Sequence, residues 1–294
     1  MSRTSQAVAL ARAGLDRPHT PEGDPQAQRK LCAGMAPASA GWLGPQIAAR
    51  TGFFDEQVLA AISAGVRQIV ICGAGYDDRA LRFRTTGVRF FELDHPGTQA
   101  DKGRRLADLS VAVNGPAGPT PPGGDPRHND AAAGLTLVEA DFRSDDVGAV
   151  LAGCGQDGGQ PTLFLCEGLL VYLDQPTIAG LLGGLAARAA AGSTLTASLS
   201  VHPPGVDSGR VVAAANARRR AAQSEPWRTI LPADAHLALL ARAGWHVAAT
   251  VDAATLDAGV EPGRSLLVTA RPAPPRAGSP SSGGARPVGT GVDG

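Results

Sequence analysis

The chain has 294 residues, 43% of them hydrophobic, and it balances 27 Lys and Arg against 27 Asp and Glu. That length suffices for one large α/β core with a cap, and zero net charge removes any bulk electrostatic reason to expect a nucleic-acid partner or an anionic membrane. No run approaches the roughly 18 apolar residues of a membrane span, and the four scattered cysteines, which form no CxxC, suit buried reduced thiols in a cytoplasmic chain without a zinc site.

Residues 1–40 mix a short amphipathic piece with turn-forming pairs such as Arg17-Pro18, Thr20-Pro21 and Asp24-Pro25. They read as an arm of short helices and turns packed over a ligand crevice, with a loosely ordered tail as the competing reading. From Gly52 to Gly65, Phe54, Val58, Leu59 and Ile62 recur at helical intervals. Asp55 and Glu56 fall in the first turn and Gly65 stops the helix. Arg50 stands just before it, a place where a surface arginine is ordinary.

Ile69 to Cys72 is a short apolar run suited to a strand buried on both faces, and Gly73 and Gly75 then break it. Glycines there let the backbone turn sharply and approach a ligand, while Asp77 and Asp78 suit the first turn of a following helix. A second run, Val88 to Leu93, ends at Asp94, the nineteenth residue after Gly75. That is close to the roughly 20-residue offset at which an acidic side chain bonds a ribose diol in dinucleotide-type folds. Alone, the two-glycine turn also fits a purely structural βα corner. Asp78 holds the place of a third glycine, which leans towards a nucleoside ligand without phosphates.

His95-Pro96 opens a polar helix. Residues 114–134 are dominated by Gly, Pro and Ala and read as a flexible surface insertion, since they offer little apolar surface to offset ordering entropy. Leu135 to Glu139 is a third strand with Asp141 and Phe142 at its end, and Asp141 also fits a helix cap. Pro161 to Cys166 is a fourth strand. Glu167 at its tip faces the crevice beyond the sheet, where a cationic ligand group would offset the carboxylate's burial. Gly168 to Leu173 begins a helix or turn containing Tyr172. An amphipathic helix from Gln175 and a strand from Ser193 to Ser200 follow. A helix from Val211 to Ala222 carries Arg218, Arg219 and Arg220 on a solvated face, and residues 203–233 together are placed to cover the crevice. Asp234 caps a helix through Ala241, Trp245 to Val251 and Leu266 to Thr269 are the last two strands, and residues 272–294 read as a disordered tail.

The segments GAGYDDRALRF, FFELDHPGTQADK, EADF and CEGLLVYL, in that order, resemble the leucine carboxyl methyltransferase family. Within it they are similar to the bacterial branch of S-adenosylmethionine-dependent O-methyltransferases often linked to polyketide pathways. The resemblance runs from about Arg50 to about Ser200, with a weaker echo to about Ala270. It implies an α/β, Rossmann-like class I methyltransferase fold over residues 41–271: a mostly parallel seven-stranded sheet, helices on both faces and a helical cap. The implied cofactor is S-adenosyl-L-methionine. By the same resemblance Arg50 pairs with its carboxylate, Gly73, Ala74 and Gly75 form the cradle, and Asp94 takes the ribose. Asp141 accepts from the adenine amino group, the backbone N–H of Phe142 reaches a ring nitrogen, and Glu167 borders the methionine amino group or the sulfonium.

The reaction so implied moves a methyl group to an oxygen, hydroxyl or carboxylate, of a small-molecule acceptor. A carboxylate is already ionised and needs no base, whereas a hydroxyl benefits from one. His95, His202 and Tyr172 are the side chains considered for that task, and none is assigned it. Two other functions share the glycine corner: an NAD-linked oxidoreductase, and a protein that binds S-adenosylmethionine without turnover. Neither a metal, a nucleic acid nor a membrane is called for, and the oligomeric state is not legible.

Overall fold

The computed structural model describes residues 3–36, 44–114, 134–219 and 225–274. Most of the expected insertion and tail therefore lie outside the described residues. Seven strands form one sheet: β1 (Gln68–Cys72), β2 (Arg89–Asp94), β3 (Leu135–Glu139), β4 (Thr162–Cys166), β5 (Thr194–Ser200), β6 (Trp245–Asp252) and β7 (Ser265–Pro272). Their order is β3-β2-β1-β4-β5-β7-β6. The first five run parallel, and β7 lies antiparallel to both β5 and β6. The chain order reverses between β1 and β4, the switch point where open α/β sheets bind ligands beyond the carboxyl ends of their strands.

The alternation of β1 shows why the sheet sits between two helical layers. Ile69 and Ile71 pack with Phe54 and Val58 of α3 (Gly44–Ser63) and with Leu106 of α5 (Pro96–Asp108). Val70 and Cys72 point the other way. They join Leu151 of α6 (Val147–Gly153), Leu181 and Leu185 of α7 (Gln175–Ala187) and Leu240 of α9 (Ala233–Arg242). A parallel strand covered on both faces has no polar side to spare, and every residue of β1 and β4 is buried. The remaining helices are α1 (Arg3–Ala13), α2 (Ala27–Leu31), the four-residue α4 (Arg79–Arg82) and α8 (Ser208–Arg219). All four cysteines are buried and none is in a disulfide. Among the described residues no helix is long and apolar enough to cross a membrane.

Three local expectations are corrected. The helix before β1 starts at Gly44, so Arg50 lies within α3 instead of ahead of it. Asp55 is consequently mid-helix and fully buried, a position tolerated because Arg17 and Arg79 both hold its carboxylate. The cap of α9 falls to Pro232, leaving Asp234 in the first turn with its carboxylate on the Ala235 amide.

Candidate functional site

Beyond the tips of β1, β2, β3 and β4 lies a cavity of about 520 Å³. All eight residues named from the sequence, Arg50, Gly73, Ala74, Gly75, Asp94, Asp141, Phe142 and Glu167, line it. The glycine turn is built into the sheet. The amides of Gly73 and Ala74 both donate to the Leu93 carbonyl of β2, at 2.8 and 3.1 Å. Gly73 has φ +66°, and a Cβ there would stand 2.8 Å from Leu169 Cδ1. Only glycine keeps this corner open.

Asp94 ties the turn to β2. Its Oδ2 accepts from the Gly75 amide at 2.6 Å and its Oδ1 from the His95 amide at 2.7 Å. Burial raises its pKa, and these two amide bonds oppose that rise. His95 caps α5, its Nδ1 accepting from the Gly97 amide at 3.2 Å. Asp141 is not the cap of α6; Asp146 takes that place, accepting from the Ala149 amide at 3.1 Å. Asp141 turns its Oδ1 to the Arg143 amide at 3.0 Å in a local turn at the cavity wall.

Glu167 lines the cavity, and its carboxylate is already paired within the chain. It is 3% exposed and held by Arg12 at 2.7 Å, Arg79 at 2.7 Å and Arg50 at 3.0 Å. Burial alone would raise its pKa, and the three guanidiniums outweigh burial and hold it well below the usual carboxylate range. The pairs continue through Asp77, which Arg12 and Arg79 share, and through Asp55 to Arg17, Asp78 and Arg82. Asp77 and Asp78, expected as first-turn residues of a helix, are thus buried members of an ion network, and α4 is one short turn. Among the described residues the network joins five guanidiniums to four carboxylates, and of these Arg12, Arg50, Asp77 and Glu167 line the cavity.

The two segments expected over the crevice, residues 1–40 and 203–233, bring to it residues that were not named from the sequence. Thr4, Ser5, Val8, Ala9 and Arg12 bring one face of α1 onto the cavity, and Ser5 Oγ lies 3.0 Å from where a Cβ on Gly75 would be. Glu225, Pro226 and Arg228, in a strap that follows α8, also line the cavity. This strap is anchored on both sides. The amides of Arg228 and Thr229 donate to the Val171 carbonyl at 2.7 and 3.1 Å. From α8, the Asn216 carboxamide donates to the Trp227 carbonyl and accepts from the Trp227 amide, both at 2.8 Å. Of the three side chains considered as bases, Tyr172 and His95 line the cavity. His202 does not: its ring contacts Ser208 Oγ at 2.8 Å and the Pro203 carbonyl at 2.7 Å.

Against known proteins, the family model described as leucine carboxyl methyltransferase matches residues 4–186. A Frankia alni protein provisionally named an S-adenosyl-L-methionine-dependent methyltransferase is 33% identical over 206 residues, 68% of this chain and 62% of its own. A Mycolicibacterium smegmatis protein with the same provisional name is 39% identical over 158 residues, 53% of this chain and 47% of its own. The chain thus spans about half to three fifths of the length of these curated relatives. Among solved structures, a DUF574 family protein from Streptomyces avermitilis aligns with a TM-score of 0.55 at 17% identity, covering 92% of this chain and 97% of that one. A provisionally assigned methyltransferase from Thermobifida fusca YX gives 0.54 at 18% identity, covering 92% and 94%. At such identities the likeness establishes the Rossmann-like methyltransferase fold.

Proposed function

The chain belongs to the leucine carboxyl methyltransferase family, and from that premise we propose that it transfers the methyl group of S-adenosylmethionine to an oxygen of a small-molecule acceptor. The observation that carries this reading is the convergence of Gly73–Gly75, Asp94, Asp141 and Glu167, from four neighbouring strand tips, on one cavity. The residues fit the cofactor. A glycine corner that a Cβ would fill admits the close approach of a nucleoside. Asp94 supplies acceptor oxygens for a ribose diol and Asp141 one for an adenine amino group. Arg50, the most exposed guanidinium of the floor, supplies a fork for an amino-acid carboxylate. Glu167 serves to hold Arg12, Arg50 and Arg79 in place.

When bound, the cofactor supplies a methyl group already activated by its sulfonium. The chain's own share is therefore alignment and exclusion of water. Leu169, Tyr172 and Leu173 wall the cavity on the β4 side, and the strap at 225–228 faces the acceptor. The test is calorimetry with S-adenosylmethionine and S-adenosylhomocysteine, with NAD as the comparison ligand. Binding of the two adenosyl compounds with none of NAD is expected; the reverse pattern would discard this reading.

A further inference from the structure

We propose that Gly168 and Ser198 are positioning residues for the amino-acid end of S-adenosylmethionine, holding the Arg50 fork at the angle that receives its carboxylate. The proposal rests on the methyltransferase reading above and deepens it, since it names the part of the chain that tells a tailed adenosyl ligand from a tailless one. Arg50 is the group through which both act. Its Nε donates to Glu167 Oε1 at 3.0 Å, and among the described residues that is the one bond its guanidinium makes. The side chain is 16% exposed, against 6% for Arg12 and none for Arg79, the other two partners of Glu167. Nη1 and Nη2 thus remain for a ligand. A planar fork binds a carboxylate well only when its plane and direction suit both oxygens.

That orientation is set from the tip of β4. Gly168 has φ +63°, and a Cβ built on it would stand 2.9 Å from Nη1 and 3.0 Å from both Cζ and Nη2 of Arg50. Near-equal distances to these three atoms put the missing Cβ over the face of the guanidinium, so the bare Gly168 Cα is the surface on which the fork lies. A side chain there would lift the fork away, and the positive φ would strain any residue but glycine. Gly168 is in turn held from β5. Its amide donates to Ser198 Oγ at 2.7 Å, and Ser198 is buried. This bond fixes the peptide between Glu167 and Gly168, and so governs two contacts of Arg50 together: the carboxylate that takes Nε and the Cα that bears the face. Ser198 does not itself line the cavity, so it acts on a ligand through that peptide. A bond that merely closed the turn after β4 would, when lost, weaken every ligand of the cavity alike.

The test compares S-adenosylhomocysteine with methylthioadenosine, which has the same adenosine and thioether and lacks the amino-acid tail. Titration calorimetry on the wild type should show the tailed compound binding more tightly. Ser198→Ala should weaken S-adenosylhomocysteine about tenfold, the cost of leaving one buried amide without its acceptor, and should leave methylthioadenosine unchanged. Gly168→Ala should cost the tailed compound more, because the new methyl group meets the guanidinium directly, and should again spare the tailless one. Each variant carries the comparison without the other, should one of them fail to fold by its urea midpoint. Ser198→Ala made in an Arg50→Ala background should change neither affinity further, since the two residues serve one interaction. Equal affinity of the wild type for the two compounds, equal losses for both in the variants, no loss for either, or additive losses in the double variant would each overturn the proposal. Failure of the wild type to bind either adenosyl compound would instead overturn the methyltransferase reading.

Discussion

Arg12 Nη2 lies 2.7 Å from Glu167 Oε2, joining the first helix to the tip of β4 across the floor of the cavity. Arg12 also reaches Asp77 at 3.0 Å, so one side chain fastens α1 to both the glycine corner and the fourth strand. Both partners are almost fully buried, and removing one side of such a pair costs far more than an exposed bridge is worth.

Glu167→Gln should therefore destabilise the fold by about 3–5 kcal/mol, because Arg12, Arg50 and Arg79 lose their shared counter-charge in a buried setting. The midpoint of urea unfolding measures this. A variant as stable as wild type would show that the guanidiniums find water or other partners.

The pH dependence of stability has two limbs of opposite sign. Burial tends to raise Asp77, but Arg79 and Arg12 win and bring it to about 2, and Glu167 is depressed likewise. Unfolded carboxyls titrate near pH 4, so this stabilisation is present above that range and is lost as pH falls towards 2. Glu92 behaves oppositely. Burial pushes it up to about 7 although Lys102 is bonded to it. Its contribution is present below about pH 4 and lost as pH rises through 7. Unfolding midpoints taken from pH 3 to 8 should show both limbs, and Glu92→Gln should flatten the one between pH 5 and 8.

Gly73→Ala should lower stability by about 1–3 kcal/mol through backbone strain alone, with a further penalty from the Cβ pressing on Leu169. Calorimetry should show weakened S-adenosylmethionine binding. Gly65→Ala is the control: its φ is also positive, but nothing lies within 4 Å of the new Cβ, so it carries the strain without touching the cavity.

Asp94→Ala should weaken S-adenosylmethionine about 10- to 150-fold, the worth of hydrogen bonds to a charged group at about 1.5–3 kcal/mol. The Gly75 and His95 amides lose their acceptor at the same time. Titration calorimetry reads the change, and undiminished affinity would remove Asp94 from the ribose site.

Asn216→Ala leaves the cavity lining unchanged and removes the two bonds that the Asn216 carboxamide makes to the Trp227 backbone. The expected outcome is faster proteolysis between 219 and 228 and a raised KM for the acceptor, with cofactor affinity unchanged. A shift in cofactor affinity of the same size would show that the strap supports the adenosine side as well.

The sheet and the glycine corner were legible because both are written in consecutive residues: Ile69 to Cys72 with Gly73 and Gly75, Val88 to Asp94, and Pro161 to Glu167. Each strand tip delivers its own carboxylate, so short-range pattern sufficed to find Asp94, Asp141 and Glu167. Arg12 and Glu225 escaped because they reach the cavity through tertiary packing from segments with no strand of their own. For Arg12 a signal existed: an arginine among small residues in ALARAG, which a solvated helix would not need. The run Asp77-Asp78-Arg79 carried another, since adjacent opposite charges just past a glycine turn mark an ion cluster as readily as a helix start. Local reading also shortened α3, because Gly44 to Thr51 lacks the apolar spacing that Phe54 to Ile62 shows.

The seat of the first helix has a consequence for the order in which the chain matures. Ribosomes make Arg12 long before Glu167, and loop-closure entropy delays contacts between such distant stretches. The N-terminal helix must therefore wait for the middle of the sheet to emerge and assemble, which leaves the nucleoside pocket among the last regions of a nascent chain to close.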